Sequence, residues 1–481
     1  MSKATFPPQI KYIVGNEACE RFSYYGMRAI LVVFMTKHLQ LAAKDATSTY
    51  HLFASACYLL PLLGSFLSDR YLGKYKTIML LSIVYCLGHL TLALFETEYG
   101  LYWGLGLIAL GSGGIKPCVS AHVGDQFNET NSHLLQKVFD LFYFAINFGA
   151  FFSSLLTPIV LVKYGPSWAF GIPGILMAIA TVWFWMGRKH YVHVPPTGRD
   201  TAGFMPVFFY SLMNLGRKKP GQEFFDIALA KYSQEEVEGA KAAAGIFKVF
   251  ITVSVFWALF DQNGSTWVLQ AEKMDLNVLG MKLEASQIQA LNPILVMLLV
   301  PVFSFGIYPA VEKFLGIKIT PLRKMSAGMV LAAASFAMVA LIQRWIDAGQ
   351  TPSIAWQIPA YVILTCSEVM VSITGLEFAY TQAPRAMKST IMSFWLLTVF
   401  VGNMLTAWIA KVNVFQGAAE FDFFTVLMFA VSLVFVYSAS RYKVRNFVEK
   451  ATVLPMGEEA IGNDDGGTAI TGGAPTPSPG V

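Results

Sequence analysis

Residues 17–26 read EACERFSYYG, and they lie in a stretch, 14–38, that is otherwise apolar and long enough to cross a membrane. Four ionisable groups fall within twelve residues of it: Glu17, Glu20, Arg21 and Arg28. Each costs about 2.5–3.5 kcal/mol or more at a bilayer centre, so a helix rarely keeps four for packing alone. At about 100° per residue, Glu17, Glu20, Arg21, Tyr24 and Arg28 share an arc of about 100° on one helix face. That face has to look into a protein interior or a watery cavity, because lipid offers it no partners. Both signs of charge are present, and a carboxylate that pairs with a cation can exchange it for a proton. Such chemistry suits the coupling of a movement to a proton. A structural salt-bridge cluster is the competing reading of the same face.

Working outward, the chain has 481 residues, of which 55% are apolar and 14% charged, a balance that excludes an ordinary soluble protein. Twelve stretches are long and apolar enough to span: 14–38, 48–68, 76–95, 100–121, 137–162, 167–187, 246–269, 287–311, 324–343, 356–380, 388–410 and 421–440. With the N-terminus in the cytoplasm, the cytoplasmic segments hold 24 of the 35 Lys and Arg, the outer loops 7 and the spans 4. The asymmetry places both termini in the cytoplasm by the positive-inside rule. The net charge of +5 is therefore a signature of topology and gives no reason to expect a nucleic-acid partner. The first apolar stretch is too long and too charged for a cleavable leader. Five cysteines, Cys19, Cys57, Cys86, Cys118 and Cys366, fall in the spans without metal-ligand spacing and read as small core residues.

The spans divide into an N-terminal six-helix bundle, 1–187, and a C-terminal one, 246–445. Between them, 188–245 is a polar cytoplasmic linker in which 203–215 is too short to cross and 222–244 reads as an amphipathic helix on the membrane surface. Residues 446–481 read as a disordered cytoplasmic tail. The halves repeat: Asp69-Arg70-Tyr71-Leu72-Gly73 returns as Glu312-Lys313-Phe314-Leu315-Gly316. A somewhat larger offset later in each half maps Tyr143 on Trp395 and Lys116 on Glu368, opposite charges at equivalent depths. Six plus six spans in parallel repeat, joined by a long basic loop, give an all-α integral membrane protein of the major facilitator fold, which works by rocking two halves about a midplane site.

EACERFSYYG fits the ExxERFxYYG signature of the proton-dependent oligopeptide transporters. Residues 111–117 (GSGGIKP), 142–149 (FYFAINFG), 256–267 (FWALFDQNGSTW) and 375–384 (GLEFAYTQAP) also resemble that family, from the first span to the tenth. His51 in YHLF and the second half are especially similar to the animal members. Many bacterial members carry two further helices in the central loop, and animal members a large outer domain between spans 9 and 10. This chain has neither between its spans.

The resemblance implies a bacterial-type symporter of di- and tripeptides in the plasma membrane. Arg28 and Lys116 would hold the peptide carboxylate, with Tyr25 and Asn147 donating hydrogen bonds. Glu368 would hold the ammonium, with Asn292 nearby. Trp257, Trp395, Tyr24, Tyr58 and Tyr143 would line side-chain pockets, where aromatic faces give large contacts from few rotatable bonds. Proton coupling would fall to Glu17, Glu20, Arg21, His51 and Asp261, with His51 otherwise a hydrogen-bonded helix contact and Asp261 otherwise a local cap or pair. The expected partners are di- and tripeptides, protons and the lipid bilayer. The fold needs one chain for a pathway, so a monomer is expected, with no cofactor and no metal. Two other readings stand beside this one. One is a carrier of another small anion such as nitrate, which would have no use for the Glu368 position. The other is a non-transporting peptide receptor on the same fold, which would be expected to carry a larger output domain. Nothing in the chain reads as an enzyme: no metal-ligand cluster, nucleophile elbow or phosphate loop is present.

Overall fold

In the computed structural model the chain is described over residues 6–128, 131, 134–196, 204–382 and 387–442. The expected tail, 446–481, lies outside the described residues. Among the described residues the regular structure is helical apart from a hairpin of two-residue antiparallel strands, Asn277–Val278 with Met281–Lys282, and an isolated bridge between Asp275 and Ser353. The helices are α1 Ile10–Val33, α2 Ala43–Leu67, α3 Lys74–Leu94, α4 Glu98–Gly124, α5 Leu135–Tyr164, α6 Pro166–Met186, α7 Phe204–Met213, α8 Gln234–Phe250, α9 Val253–Phe260, α10 Thr266–Ala271, α11 Leu291–Pro301, α12 Tyr308–Leu315, α13 Pro321–Asp347, α14 Gln357–Glu368, α15 Thr374–Gln382, α16 Lys388–Val412 and α17 Ala418–Arg441.

Among the described residues ten helical segments are long and apolar enough to cross a membrane, or eleven if α8 and the segment Val253–Ala271, bent 43° apart, count as one. Helix α1 is 24 residues long and carries the four charges that set it apart from those segments. Leu80, Leu87, Leu90 and Leu94 on α3, and Val426, Phe429 and Leu433 on α17, point outward and are exposed. On a soluble protein such stripes would be a liability; here they are the faces that lipid covers. Trp103, Trp168 and Trp408 are exposed near helix ends, as aromatic belts are.

Buried side chains form two separate cores. One holds Ile30, Tyr85, Leu101, Phe170 and Phe184 of α1 to α6. The other holds Phe256, Met329, Phe336, Tyr361 and Phe424 of the later helices. The linker helix α7 belongs to the second: Phe204 and Val207 are buried there, with the Phe204 ring edge-on to Phe394 at 5.1 Å. Residues 222–244 do not form a single helix. A 3-10 turn, Phe225–Ala230, comes first, and α8 then starts on a capping box in which Ser233 and Glu236 satisfy each other's backbone N–H groups. The repeated loop motif ends on a positive-φ glycine in both halves, Gly73 (φ +74°) and Gly316 (φ +64°), but the two close differently: Gly316 is left-handed helical and bonds back to Glu312, whereas Gly73 is extended in ψ and bonds back to Ser68. Pro301 leads into a wide helical turn, Val302–Ile307, and Pro293 lies where the 3-10 helix Ala285–Ala290 passes into α11.

Candidate functional site

The face predicted from 17–28 is buried. Glu17, Glu20, Arg21 and Arg28 are each 7% exposed or less. Arg21 Nε donates to Glu17 Oε1 at 2.7 Å and stands 3.2 Å from Glu20 Oε2. Two carboxylates thus share one guanidinium, and one of them can take a proton while the other keeps the cation. Ser112 Oγ of α4 donates to Glu20 Oε1 at 3.0 Å. One turn further along α4, Lys116 Nζ lies 4.6 Å from the centre of the Tyr24 ring and 5.0 Å from that of Tyr58. The glycines of GSGGIKP bring α4 in this close. A side chain at Gly111 would meet Tyr85, one at Gly113 would meet Leu60, and one at Gly114 would meet Leu81. The motif therefore packs α4 closely on α2 and α3 and delivers Lys116 to the interior between α1 and α2.

Arg28, five turns along α1, faces the other half of the molecule. Its guanidinium is paired with Asp261, its Nε donates to Tyr50 Oη at 2.6 Å, and it stacks 5.2 Å from the centre of the Tyr50 ring. Asn403 donates to the second oxygen of Asp261 at 2.5 Å. His51 continues the chain, with Nδ1 2.7 Å from Asn403 Oδ1 and Nε2 2.8 Å from Ser265 Oγ. The expected proton residues His51 and Asp261 are thus joined through Asn403 in one buried network that ties the two halves together. Glu17, Glu20 and Arg21 form a separate one. Arg28, expected beside Lys116, belongs to the His51–Asp261 network in this conformation.

Glu368 is wholly buried at the end of α14. Asn292 Nδ2 donates to its Oε2 at 2.7 Å and lies 3.3 Å from Thr365 Oγ1. Trp257 and Trp395 are both buried and pack edge to face at 6.0 Å. Asn147 is buried and donates to the Tyr143 carbonyl at 2.9 Å, so that its amide oxygen is left for another donor. A cavity of about 40 Å³ is lined by Tyr25, Arg28 and Tyr50 from one half and by Asp261, Asn292 and Pro293 from the other. It holds water-sized groups rather than a peptide. It also connects the cation expected to bind a carboxylate with the amide that holds Glu368.

Tyr50, Ser112, Asn403 and Ser265 were not singled out from sequence. A signal existed for Asn403: a lone amide in the apolar run VFVGNML costs free energy unless it is bonded.

The sequence profile described as the POT family matches residues 75–419. Solute carrier family 15 member 2 of Rattus norvegicus is 30% identical, over 91% of this chain and 90% of that protein. The crystal structure of an auto-inhibited POT family peptide transporter superposes with a TM-score of 0.86 at 40% identity, covering 92% of this chain and 99% of the other. The POT family transporter PepTSo superposes with a TM-score of 0.85 at 41% identity, covering 91% and 98%.

Proposed function

The chain belongs to the POT family of proton-coupled peptide transporters, and on that premise we propose that it imports di- and tripeptides across the plasma membrane by alternating access, as a monomer with twelve spans and both termini in the cytoplasm. Helix α1 is the twelfth span; its charges face inward, so the helix can cross despite them. The two bundles are 1–187 and 246–445, joined by the linker 188–245.

The observation that carries the reading is the cavity shared by Tyr25, Arg28 and Asn292 between the halves. A free peptide is a zwitterion. Its carboxylate goes to Arg28 and Lys116, with Tyr25 and Asn147 donating, and its ammonium to Glu368, steadied by Asn292. Fixed charges at the two ends limit length, since each further residue adds about 3.5 Å. Trp257, Trp395, Tyr24, Tyr58 and Tyr143 surround the side chains.

The proton acts by competing for the same cations. In this conformation Asp261 holds Arg28. Protonation of Asp261 frees the guanidinium for a substrate carboxylate, and loss of the peptide returns Arg28 to Asp261. His51 and Asn403 supply the hydrogen-bonded route to that carboxyl. At the other network Glu17 and Glu20 compete for Arg21, so a proton taken by either leaves a lone ion pair that costs less to bury. A membrane potential of 100 mV is worth about 2.3 kcal/mol per charge and half a pH unit about 0.7 kcal/mol, which together support roughly hundredfold accumulation.

The test is uptake of labelled dialanine into proteoliposomes under an inward proton gradient and an inside-negative potential. Accumulation above equilibrium that an uncoupler abolishes is the expected result. Binding without flux would replace the transporter by a receptor, and neither binding nor flux in folded protein would move the search to anions such as nitrate.

A further inference from the structure

Helix α7 turns one face to the core of the second half and leaves the other bare. Phe204, Val207 and Ser211 are buried, whereas Met205, Phe209, Leu212 and Met213 share an arc of about 100° and are exposed, Met213 at 84%. Ring contacts fix the direction in which the bare face runs. Phe204 packs edge-on against Phe394 at 5.1 Å, and Phe394 packs in turn on Phe247 of α8 at 4.7 Å. Tyr210 instead meets Tyr232, two residues before α8 begins, at 5.8 Å. Helix α7 thus runs antiparallel to α8, away from the end of α8 that joins the span at 246–269. Lipid can cover the start of the face, but Leu212 and Met213 lie about 12–14 Å further along.

That far end is also cationic. Arg217, Lys218 and Lys219 follow it, all exposed and without an ion pair among the described residues. Lys231 adds a fourth cation, its Nζ 5.6 Å from the centre of the Tyr210 ring. The linker acids Glu223, Asp226 and Glu238 are gathered by Lys241 instead. The positive-inside rule accounts for basic residues in the linker. It gives no reason for a bare apolar face beside them.

A segment of the same chain, outside the described residues, matches both features. From residue 451 onward the sequence has no Lys or Arg, and it has four acids, Glu458, Glu459, Asp464 and Asp465, just after the apolar run VLPM at 453–456. The last described residue, Tyr442, packs on Phe378 at 5.2 Å and comes within 3.9 Å of where a side chain at Gly245 of α8 would sit. The chain therefore leaves the second half beside the helix against which α7 packs. Eleven residues separate Tyr442 from Leu454 and can reach about 40 Å. The whole of α7, ten residues, is about 15 Å long.

We propose that residues 453–465 dock on α7, with 453–456 covering Phe209, Leu212 and Met213 and the four carboxylates lying over Arg217, Lys218, Lys219 and Lys231. Removing the apolar face from water drives the contact, and the charges set its register. The docked segment ties the end of the second bundle to the linker between the bundles. The placement follows from the packing of Tyr442 and α7 on α8 and does not depend on the transport reading.

The test is zero-length carbodiimide cross-linking, which joins a lysine to a carboxylate in contact with it, on the purified full chain in neutral detergent. Peptide mass spectrometry of the single-chain band is the readout. The expected result is Lys218, Lys219 or Lys231 joined to Glu458, Glu459, Asp464 or Asp465. In 1 M salt, where the Debye length falls to about 3 Å, the yield should drop about fivefold or more. Phe209→Ser with Leu212→Ser, at exposed positions, should lower it about tenfold while the melting temperature holds. If that pair melts lower, Leu454→Ser with Met456→Ser removes the other side of the same contact, and the same loss is expected. Four outcomes overturn the proposal. Links only between two chains assign the face to a second copy, and links unchanged in the serine variants reduce the contact to charge alone. Links abolished when phosphatidylglycerol replaces phosphatidylcholine in nanodiscs give the face to the bilayer. The absence of any such link leaves the tail undocked.

Discussion

Glu368 and Lys116 sit on opposite halves of the molecule and are assigned to opposite ends of the same substrate. The consequences of losing each differ. Glu368→Gln keeps an oxygen that Asn292 can reach at its present 2.7 Å and removes only the charge. A charge-assisted hydrogen bond is worth about 1.5–3 kcal/mol, so dialanine affinity should fall roughly ten- to a hundredfold. The melting temperature should hold, and N-acetyl-dialanine, which has no ammonium, should bind both proteins alike. Equal loss for both ligands would place Glu368 outside the ammonium site. Lys116→Ala should remove proton-driven accumulation while leaving downhill exchange, and concentrative uptake by that variant would refute its part in coupling. The sequence singles out both positions by their motifs, and the structure buries both. Their partners were not legible. Arg28 was expected beside Lys116, yet it is held by Asp261, 233 residues away, and His51 reaches Asn403 across 352 residues. Such pairs exist only once the two halves close, and no local pattern along the chain encodes which residues will meet.

Among the elements, α4 shows how a sequence motif becomes a position in space. GSGGIKP reads from sequence as a small-residue helix carrying an odd lysine; the packing explains the glycines. A Cβ at Gly64 of α2 would run into the backbone of Gly114, which cannot turn aside as a flexible side chain could. Gly64→Ala should therefore force α2 from α4, destabilise the protein by about 1–3 kcal/mol and lower its melting temperature. Gly106→Ala on the same α4 meets nothing within 4 Å. It should be neutral or stabilising by about 0.5–1 kcal/mol through helix propensity, and an equal loss at both positions would remove the close-approach argument. Span positions were legible in the same spirit, since long apolar runs need little else. The linker was not. Its 222–244 stretch has amphipathic character, but the Ser233 cap sets a new helix start inside it, and α7 is recruited into the core of the second half by Phe204 and Val207. Tertiary burial and one cap outweigh periodicity there.

For the whole molecule, the polar contacts described between the halves gather where α1 ends and α2 begins. Besides Arg28–Asp261 and His51–Asn403 they include Lys411 with Asp45 at 2.7 Å, Lys37 with Glu272 at 3.5 Å, Gln289 with the Ala29 carbonyl at 3.0 Å and Gln287 with the Leu155 carbonyl at 2.8 Å. That end, the outer one in the proposed topology, is closed in this conformation. If transport requires it to open, a fixed link across it must stop transport. In a protein whose five native cysteines are replaced, Asp45→Cys with Lys411→Cys, joined by a short reducible bridge, should lose uptake, and reductant should restore it. Undiminished uptake with the bridge in place would show that this seam does not part. Glu272 adds a pH dependence to the same seam. Burial raises its carboxyl above the ordinary value, with Lys37 and Lys273 opposing the rise in part. A carboxyl whose pKa is higher in the closed than in the open state binds its proton more tightly when closed. Closure is therefore favoured below the ordinary carboxylate range, and that bias is lost as pH rises through the raised value. Distances between spin labels across the outer end should shorten as external pH falls, and in Glu272→Gln, which is neutral throughout, that part of the pH response should be absent. An unchanged response in the variant would assign the sensitivity to Asp261 and His51 deeper in the seam, where the proton is also proposed to work.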